Sequence, residues 1–359
     1  ISPVVYYSAL SQMKSLFDKT KAGAIVLKNR FVRASVGDHV KDGFVSAAMI
    51  EKYEALARGG VSTILSGYTL VDGNEHGHGI TAMWSDEFIA GWKPLIDSVH
   101  SCDANIILQL VSVGSGYNSP ADPSMPLLGA SAVPNMRTGR IPKAMTLYDI
   151  ERLKNQFAEA ALRAKNAGFD GVELHAAHGY LFHQFSTPYY NRRSDAYGGS
   201  LNNRSRLTIE TYQTIRKEVG PDFPVWIKLQ SQDGYEGGVM PSDCIFLASR
   251  LAEEGIDAIE ISGNFTDFRS STAYFRNTAN LVALNTGVPV VVTGGNRNLN
   301  EMRQMINETA IDYIGMARPL ISQPDLINRL AAVGTGKSRC VSCNKCLSPE
   351  FQGSCILNK

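Results

Sequence analysis

The sequence predicts one α/β domain folded as a (β/α)8 barrel, and three observations predict it. Eight short β-rich runs recur along the chain, most of them apolar on both faces, as strands of a parallel sheet covered by helices must be. Segments of helical period separate them. Two long loops follow the third and fourth runs, at the carboxyl ends of strands, where barrel active sites lie.

The predicted strands span residues 29–34, 61–66, 105–110, 171–175, 224–229, 258–262, 289–293 and 312–316. Among the intervening segments, 147–167 places Ile150, Leu153, Phe157, Ala161 and Ala164 on one stripe. Segment 242–254 does the same with Ile245, Ala248 and Leu251. Gly168, Gly255 and Gly287 follow such segments, where a left-handed C-cap favours glycine. Right-handed crossovers between β–α units allow a doubly wound sheet or a closed barrel. Eight strands favour the barrel, because open sheets of this kind more often have fewer. The loops 111–146 and 181–203 are long enough to read as functional. The expected division is an N-terminal extension over 1–14, the barrel over 15–335, and a Cys-rich tail over 336–359 packing on it.

The net charge of +1 gives no field to attract nucleic acid or an acidic membrane surface, so neither partner is expected. No apolar stretch is long enough to span a bilayer. The opening ISPVVYYSALSQMKSLF lacks the basic start and apolar run of a secretory signal; it does not begin with Met, so upstream processing is left open. Six cysteines in a chain of 359 residues, four of them near the end, read as reduced thiols of a cytoplasmic enzyme and not as a disulfide scaffold. The expected partner is a small-molecule substrate, with homo-oligomerisation left open.

The chemistry concentrates in GFDGVELHAAHGYLFHQFSTPYYNRRSDAYGGSLNNRSR, where the fourth strand ends at His175 with His178 and Tyr180 just beyond. Two histidines could share a metal, but no acidic third ligand sits in the same turn. His175 could also be a buried histidine with a backbone partner. Two imidazole N–H groups holding a carbonyl oxygen, beside a phenol that delivers a proton, suit the pattern better.

With these residues the chain resembles the old yellow enzyme family of flavin-dependent ene-reductases and NADH:flavin oxidoreductases, as a single-domain member. The resemblance runs from about Ser15 to the C-terminus. Besides the His175–Tyr180 block it rests on LKNRFVRAS at strand one, ILQL at strand three, VTGG at strand seven and IGMARPLISQPDL at strand eight. It implies FMN at the carboxyl end of the barrel, with NAD(P)H as transient reductant. Ala34 and Ser35 would line the flavin edge with backbone groups, Gly67 would leave room for the ring system, and Gln109 would bond the pyrimidine part. Lys228, a cation in a buried strand, would sit beside flavin N1; a core ion pair with Glu173 or Glu260 is the structural alternative. Gly294, Gly295, Ala317 and Arg318 would hold the phosphate, since glycines let backbone N–H groups approach and Arg adds charge. No strand–GxGxxG–helix fingerprint is present, so no separate nicotinamide-binding domain is expected.

The implied reaction is ping-pong: NAD(P)H reduces the flavin, and an α,β-unsaturated carbonyl compound is then reduced. His175 and His178 hold its oxygen and Tyr180 protonates its α-carbon. A flavin-dependent demethylase, dehydrogenase or NADH oxidase on the same fold, and a phosphate-ligand-binding barrel without redox chemistry, stay open. The chain departs from the family where many relatives carry Ala-His-Ala-Gly-Arg after ILQL; here the run is Val111, Ser112, Val113, Gly114, Ser115. Val36 and Gly37 also stand where some relatives place Thr or Cys. Cys340, Cys343, Cys346 and Cys355 are spaced differently from the iron–sulfur pattern of relatives fused to a second domain. Four close thiols could still hold a cluster or zinc, but single-domain relatives often keep such cysteines without metal, and none is expected here.

Overall fold

The computed structural model describes residues 13–75, 79–116, 127–264, 272–348, 350–351 and 353–358. Most of the expected N-terminal extension and the middle of the loop after strand three lie outside them. The strands are β1 (Phe31–Arg33), β2 (Thr63–Leu65), β3 (Asn105–Val111), β4 (Gly171–Ala176), β5 (Val225–Gln230), β6 (Ala258–Ser262), β7 (Val290–Thr293) and β8 (Tyr313–Met316). Each pairs in parallel with its successor, and β8 pairs with β1 through Gly315 opposite Val32, so the sheet closes. The barrel expected from sequence is the one observed. β5 and β7 start one residue later than expected because Pro224 and Pro289 have no N–H for the ladder. Pro289 contributes only its carbonyl, which accepts from Ile259 at 3.0 Å.

A helix of eight or more residues follows each strand: α1 (Ala47–Arg58), α2 (Ile89–His100), α3 (Leu147–Ala167), α4 (Leu201–Val219), α5 (Pro241–Glu253), α6 (Arg276–Thr286), α7 (Leu299–Glu308) and α8 (Leu326–Val333). Short helices Leu181–Ser186 and Arg318–Ser322 precede α4 and α8. α3 starts at a reciprocal cap between Thr146 and Asp149 and ends at Gly168, with φ +99°. Its predicted stripe is fully buried. In α5 the buried stripe is Cys244, Leu247, Ala248 and Leu251, and Ile245 sits half-buried at its edge. No helix among the described residues is long and apolar enough to cross a membrane.

The barrel interior changes character along its axis, and this change positions the site. At the amino end, Val32, Leu65, Ile107, Trp226, Ala258, Val291 and Tyr313 form a dry layer. The antiparallel hairpin Thr20–Ala22/Ile25–Leu27 plugs it with Ala22, Ile25 and Leu27. The Tyr313 hydroxyl is satisfied by donating to the Lys21 carbonyl at 2.8 Å. The two-residue strand period then turns Gln109, Glu173, Lys228, Glu260 and Thr293 to the same interior one layer higher. The core thus becomes polar towards the carboxyl ends.

The C-terminal segment lies against that end. Ser338 N–H donates to the Arg297 carbonyl at 2.8 Å, Arg339 N–H donates to Gln323 Oε1 at 2.7 Å, and Arg318 bonds Asn344.

Candidate active site

A cavity of about 380 Å³ opens at the carboxyl ends of the strands, within the range of roughly 300–1,000 Å³ common for ligand sites. His175, His178, Tyr180, Ser35, Gln109, Lys228, Gly294, Gly295, Ala317 and Arg318 all line it. Four cations, Arg137, Lys228, Arg297 and Arg318, face it, and no carboxylate among the described residues does. The space therefore suits an anionic ligand.

The catalytic block is built on the end of β4. Nδ1 of His175 accepts from Ala177 N–H at 3.4 Å, which assigns the ring hydrogen to Nε2. Burial, then the neighbouring His178 and Lys228, hold its pKa well below the ordinary histidine value, so the ring is a neutral donor. His178 takes a left-handed backbone conformation with φ +61°. It is likewise kept neutral, by burial first and by Lys228 second. Its N–H donates to Gln230 Oε1 at 3.0 Å, and its Nε2 lies 3.1 Å from Ser262 Oγ.

Next to it, Gly179 N–H donates to Nδ1 of His183 at 3.0 Å, and His183 Nε2 donates to Asp233 Oδ2 at 2.9 Å. Asp233 Oδ1 accepts from Gln230 Nε2 at 2.9 Å, so one buried carboxylate holds the turn through two side chains. The rings of His175 and His178 stand 5.1 Å apart edge to face, and Tyr180 lies 4.9 Å from His175. The Tyr180 phenol, bonded to Tyr68 and Arg137, is pushed above its usual pKa by burial and stays protonated. The structure brings these three predicted residues together.

Beneath them Lys228 combines a place on the cavity wall with a core ion pair. It lines the cavity, and its Nζ stands 3.1 Å from Glu260 Oε2. Gln109 Nε2 donates to Glu173 Oε2 at 2.6 Å. Burial and the adjacent Glu260 carboxylate push Glu173 well above the usual carboxylate range. Register explains the grouping: Gln109 is opposite Glu173, and Lys228 lies between His175 and Glu260 on neighbouring strands. Removing one partner of a buried pair strands the other, so Lys228→Met should lower stability by about 3–5 kcal/mol. Adding Glu260→Gln should recover most of that loss in urea unfolding. A single variant as stable as the parent would show that the pair does not support the fold.

The opposite wall is a glycine cradle. Gly294 and Gly295 have φ of +147° and +76°, which side chains rarely adopt. A Cβ on Gly295 would lie 2.7 Å from Tyr274 Cε1 and 2.8 Å from the Ala273 backbone nitrogen. Asn296 Nδ2 donates to the Val292 and Gly315 carbonyls at 2.8 and 3.0 Å, tying β7 to β8. Ser35 Oγ, Gln109 Oε1, Thr293 Oγ1 and Asn296 Oδ1 are buried and have no hydrogen-bond partner among the described residues. Each such atom costs about 1–3 kcal/mol while unsatisfied, and all four residues line the cavity. Unpartnered polar atoms lining the cavity, the Lys228 cation on its wall, and glycines flanked by arginines fit a polar-edged group with a phosphate tail, as FMN is.

Two residues expected at the flavin, Gly67 and Ala34, are not among those lining the cavity. Gly67 does not line the cavity, because the space beside it is filled: a Cβ there would lie 2.3 Å from Asp38 Oδ2. Its N–H donates to that carboxylate at 2.9 Å and to the Tyr53 hydroxyl at 2.8 Å, supporting a buried Asp38 that also pairs with Lys52. Ala34 is buried, and its N–H is taken by the Met316 carbonyl at 3.0 Å. The loop that departs from the family run is held by Glu75, whose carboxylate accepts from Ser112 Oγ, Val113 N–H and Gly114 N–H. Burial pushes Glu75 up to about 7.

Sequence reading missed Arg137, Asn296, Arg297 and Gly315 in the cavity wall. Asn296 and Arg297 directly follow the predicted glycine pair, so extending that motif would have found them. Gly315 lies in the quoted strand-eight motif, where a Cβ would meet Thr293 Oγ1 at 1.7 Å. Arg137 has no local signal, because an irregular turn brings it in. In the tail, Cys340, Cys343, Cys346 and Cys355 surround one small cavity, and all are free thiols. No group of three or more His, Cys, Asp or Glu among the described residues is arranged to hold a metal.

Comparison with known proteins identifies the family. Residues 15–334 match the model of the NADH:flavin oxidoreductase / NADH oxidase family. An NADH oxidase of Thermoanaerobacter brockii is 30% identical over 93% of this chain and 54% of its own length. An NADPH dehydrogenase of Bacillus velezensis is 32% identical over 87% of this chain and 92% of its own. Among solved structures, a 2-naphthoyl-CoA reductase in complex with 2-naphthoyl-CoA superposes with a TM-score of 0.84 at 26% identity, covering 96% of this chain and 56% of that one. The chain spans about half the length of the curated relatives it matches first.

Proposed function

Since this chain belongs to the NADH:flavin oxidoreductase / NADH oxidase family, we propose that it is an FMN-dependent oxidoreductase reducing activated C=C bonds of α,β-unsaturated carbonyl compounds with NAD(P)H, by a ping-pong mechanism. The observation that carries the reading is the convergence of His175, His178 and Tyr180 on the wall of a cationic cavity with unpartnered polar atoms. When bound, FMN supplies the two-electron chemistry that links the nicotinamide to the alkene. Gln109 and Lys228 would face its ring system and Ser35 its edge. Gly294, Gly295, Ala317 and Arg318, with Arg297, would hold its phosphate.

The protein residues act on the substrate. The histidines are neutral and donate hydrogen bonds to its carbonyl oxygen, withdrawing electron density from the alkene without adding a charge. Tyr180 is kept protonated and holds the proton destined for the α-carbon. Asp233, acting through Gln230 and His183, keeps the turn carrying these groups in place. A neutral donor pair of this kind favours an enone over a substrate that must itself lose a proton.

The test is steady-state turnover of an enone panel with NADH and NADPH, with dioxygen alone as the control oxidant. Saturating kinetics with parallel double-reciprocal lines for at least one enone support the proposal. Turnover with dioxygen and none with any enone would leave only an NADH oxidase reading.

A further inference from the structure

Three of the four cations facing the cavity have a task in the reading above, and one does not. Lys228 pairs with Glu260, and Arg297 and Arg318 flank the glycine cradle. Arg137 stands apart, on the side of the reacting groups. Its guanidinium lies over the Tyr180 ring, 5.7 Å from the centroid, and bonds the phenol. Its charge is also felt at His178. No carboxylate pairs with it among the described residues, and none lines the cavity.

The placement of Arg137 is built. Asn135 Oδ1 accepts from the N–H groups of Arg137 and Thr138 at 3.0 and 3.2 Å. Asn135 Nδ2 donates to Ser115 Oγ at 3.2 Å, and Thr138 Oγ1 donates to the Ser115 carbonyl at 3.0 Å. Met136 N–H donates to the Tyr190 hydroxyl at 3.2 Å. The turn is thus clamped to the strand-three loop and holds a cation against the residue assigned as proton donor.

Resting on the ene-reductase reading, we propose that Arg137 recognises an anionic substrate, an α,β-unsaturated compound whose carboxylate lies on or next to the reacting carbons. The guanidinium fork matches a carboxylate in two parallel hydrogen bonds. Proximity selects this class. Arg137 touches Tyr180, so the anion it meets must lie within one small group of the α-carbon. The phosphates of a nicotinamide dinucleotide are separated from the reacting ring by a ribose.

The experiment uses the flavin-loaded protein and two non-reducible ligands of equal shape, 3-phenylpropanoate and 3-phenylpropanamide, followed by flavin absorbance. The acid should bind about tenfold more tightly than the amide, with a preference that shrinks as salt rises. Arg137→Met should remove the preference and Arg137→Lys should keep part of it. The KM values for NADH and NADPH should change by the same factor in Arg137→Met. Equal affinities in the parent, no binding of either ligand, a preference surviving in Arg137→Met, or a selective rise of KM for NADPH would each overturn the proposal. A parent protein that prefers the acid but reduces no alkene would instead sink the ene-reductase reading and leave the anion site standing.

Discussion

Tyr180→Phe should leave reduction of the flavin by NAD(P)H nearly intact and slow its reoxidation by enones by about 10²–10⁴, the usual cost of losing a general acid. The phenol is buried, stays protonated and packs 4.9 Å from the His175 ring. Its loss removes a proton source without changing the glycine cradle or the floor around Lys228. Stopped-flow absorbance follows the two half-reactions separately. Equal slowing of both would mean that Tyr180 organises the pocket. No slowing of either would place the proton elsewhere and remove the main mechanistic support for ene-reduction.

His175→Ala should cost about 10²–10³ in the enone half-reaction, or 3–4 kcal/mol of transition-state stabilisation, as for other single oxyanion donors. The ring acts as a donor because it is neutral with its hydrogen on Nε2. Its pKa, like that of His178, lies well below the ordinary value of 6.5. Neither ring gains a proton as pH falls through that value, and protonation sets in only at more acid pH. The parent's enone reduction should therefore show no acid limb near pH 6.5. A limb there that disappears in His175→Ala would show that the ring gains its proton near the ordinary value, and would overturn the assignment of a lowered pKa.

The barrel was legible in sequence because its strands are covered on both faces and so stand out as short apolar runs between helices of clear period. Strand starts at Pro224 and Pro289 were misplaced by one residue, since a proline without an N–H stays outside the ladder although the apolar run begins with it. His175, His178 and Tyr180 were legible because they share one turn of chain. Gly67 was misread. It answers to Asp38, which sits after a different strand and touches it only in the fold. Lys228 was read as flavin partner or core ion, and the register of β4, β5 and β6 pairs it with Glu260 while keeping it on the cavity wall. Arg137 was invisible because its position depends on Asn135, Ser115 and Tyr190, which no periodicity links.

The cationic cavity is proposed to hold FMN with its phosphate on the glycine cradle. Titrating flavin-stripped protein with FMN and following the quenching of flavin fluorescence tests it most directly. The expected result is saturation at one FMN per chain, and loss of that binding in Gly295→Val, whose side chain would run into Tyr274 and the Ala273 backbone. No uptake by the parent protein, or undiminished uptake by a folded Gly295→Val variant, would contradict it.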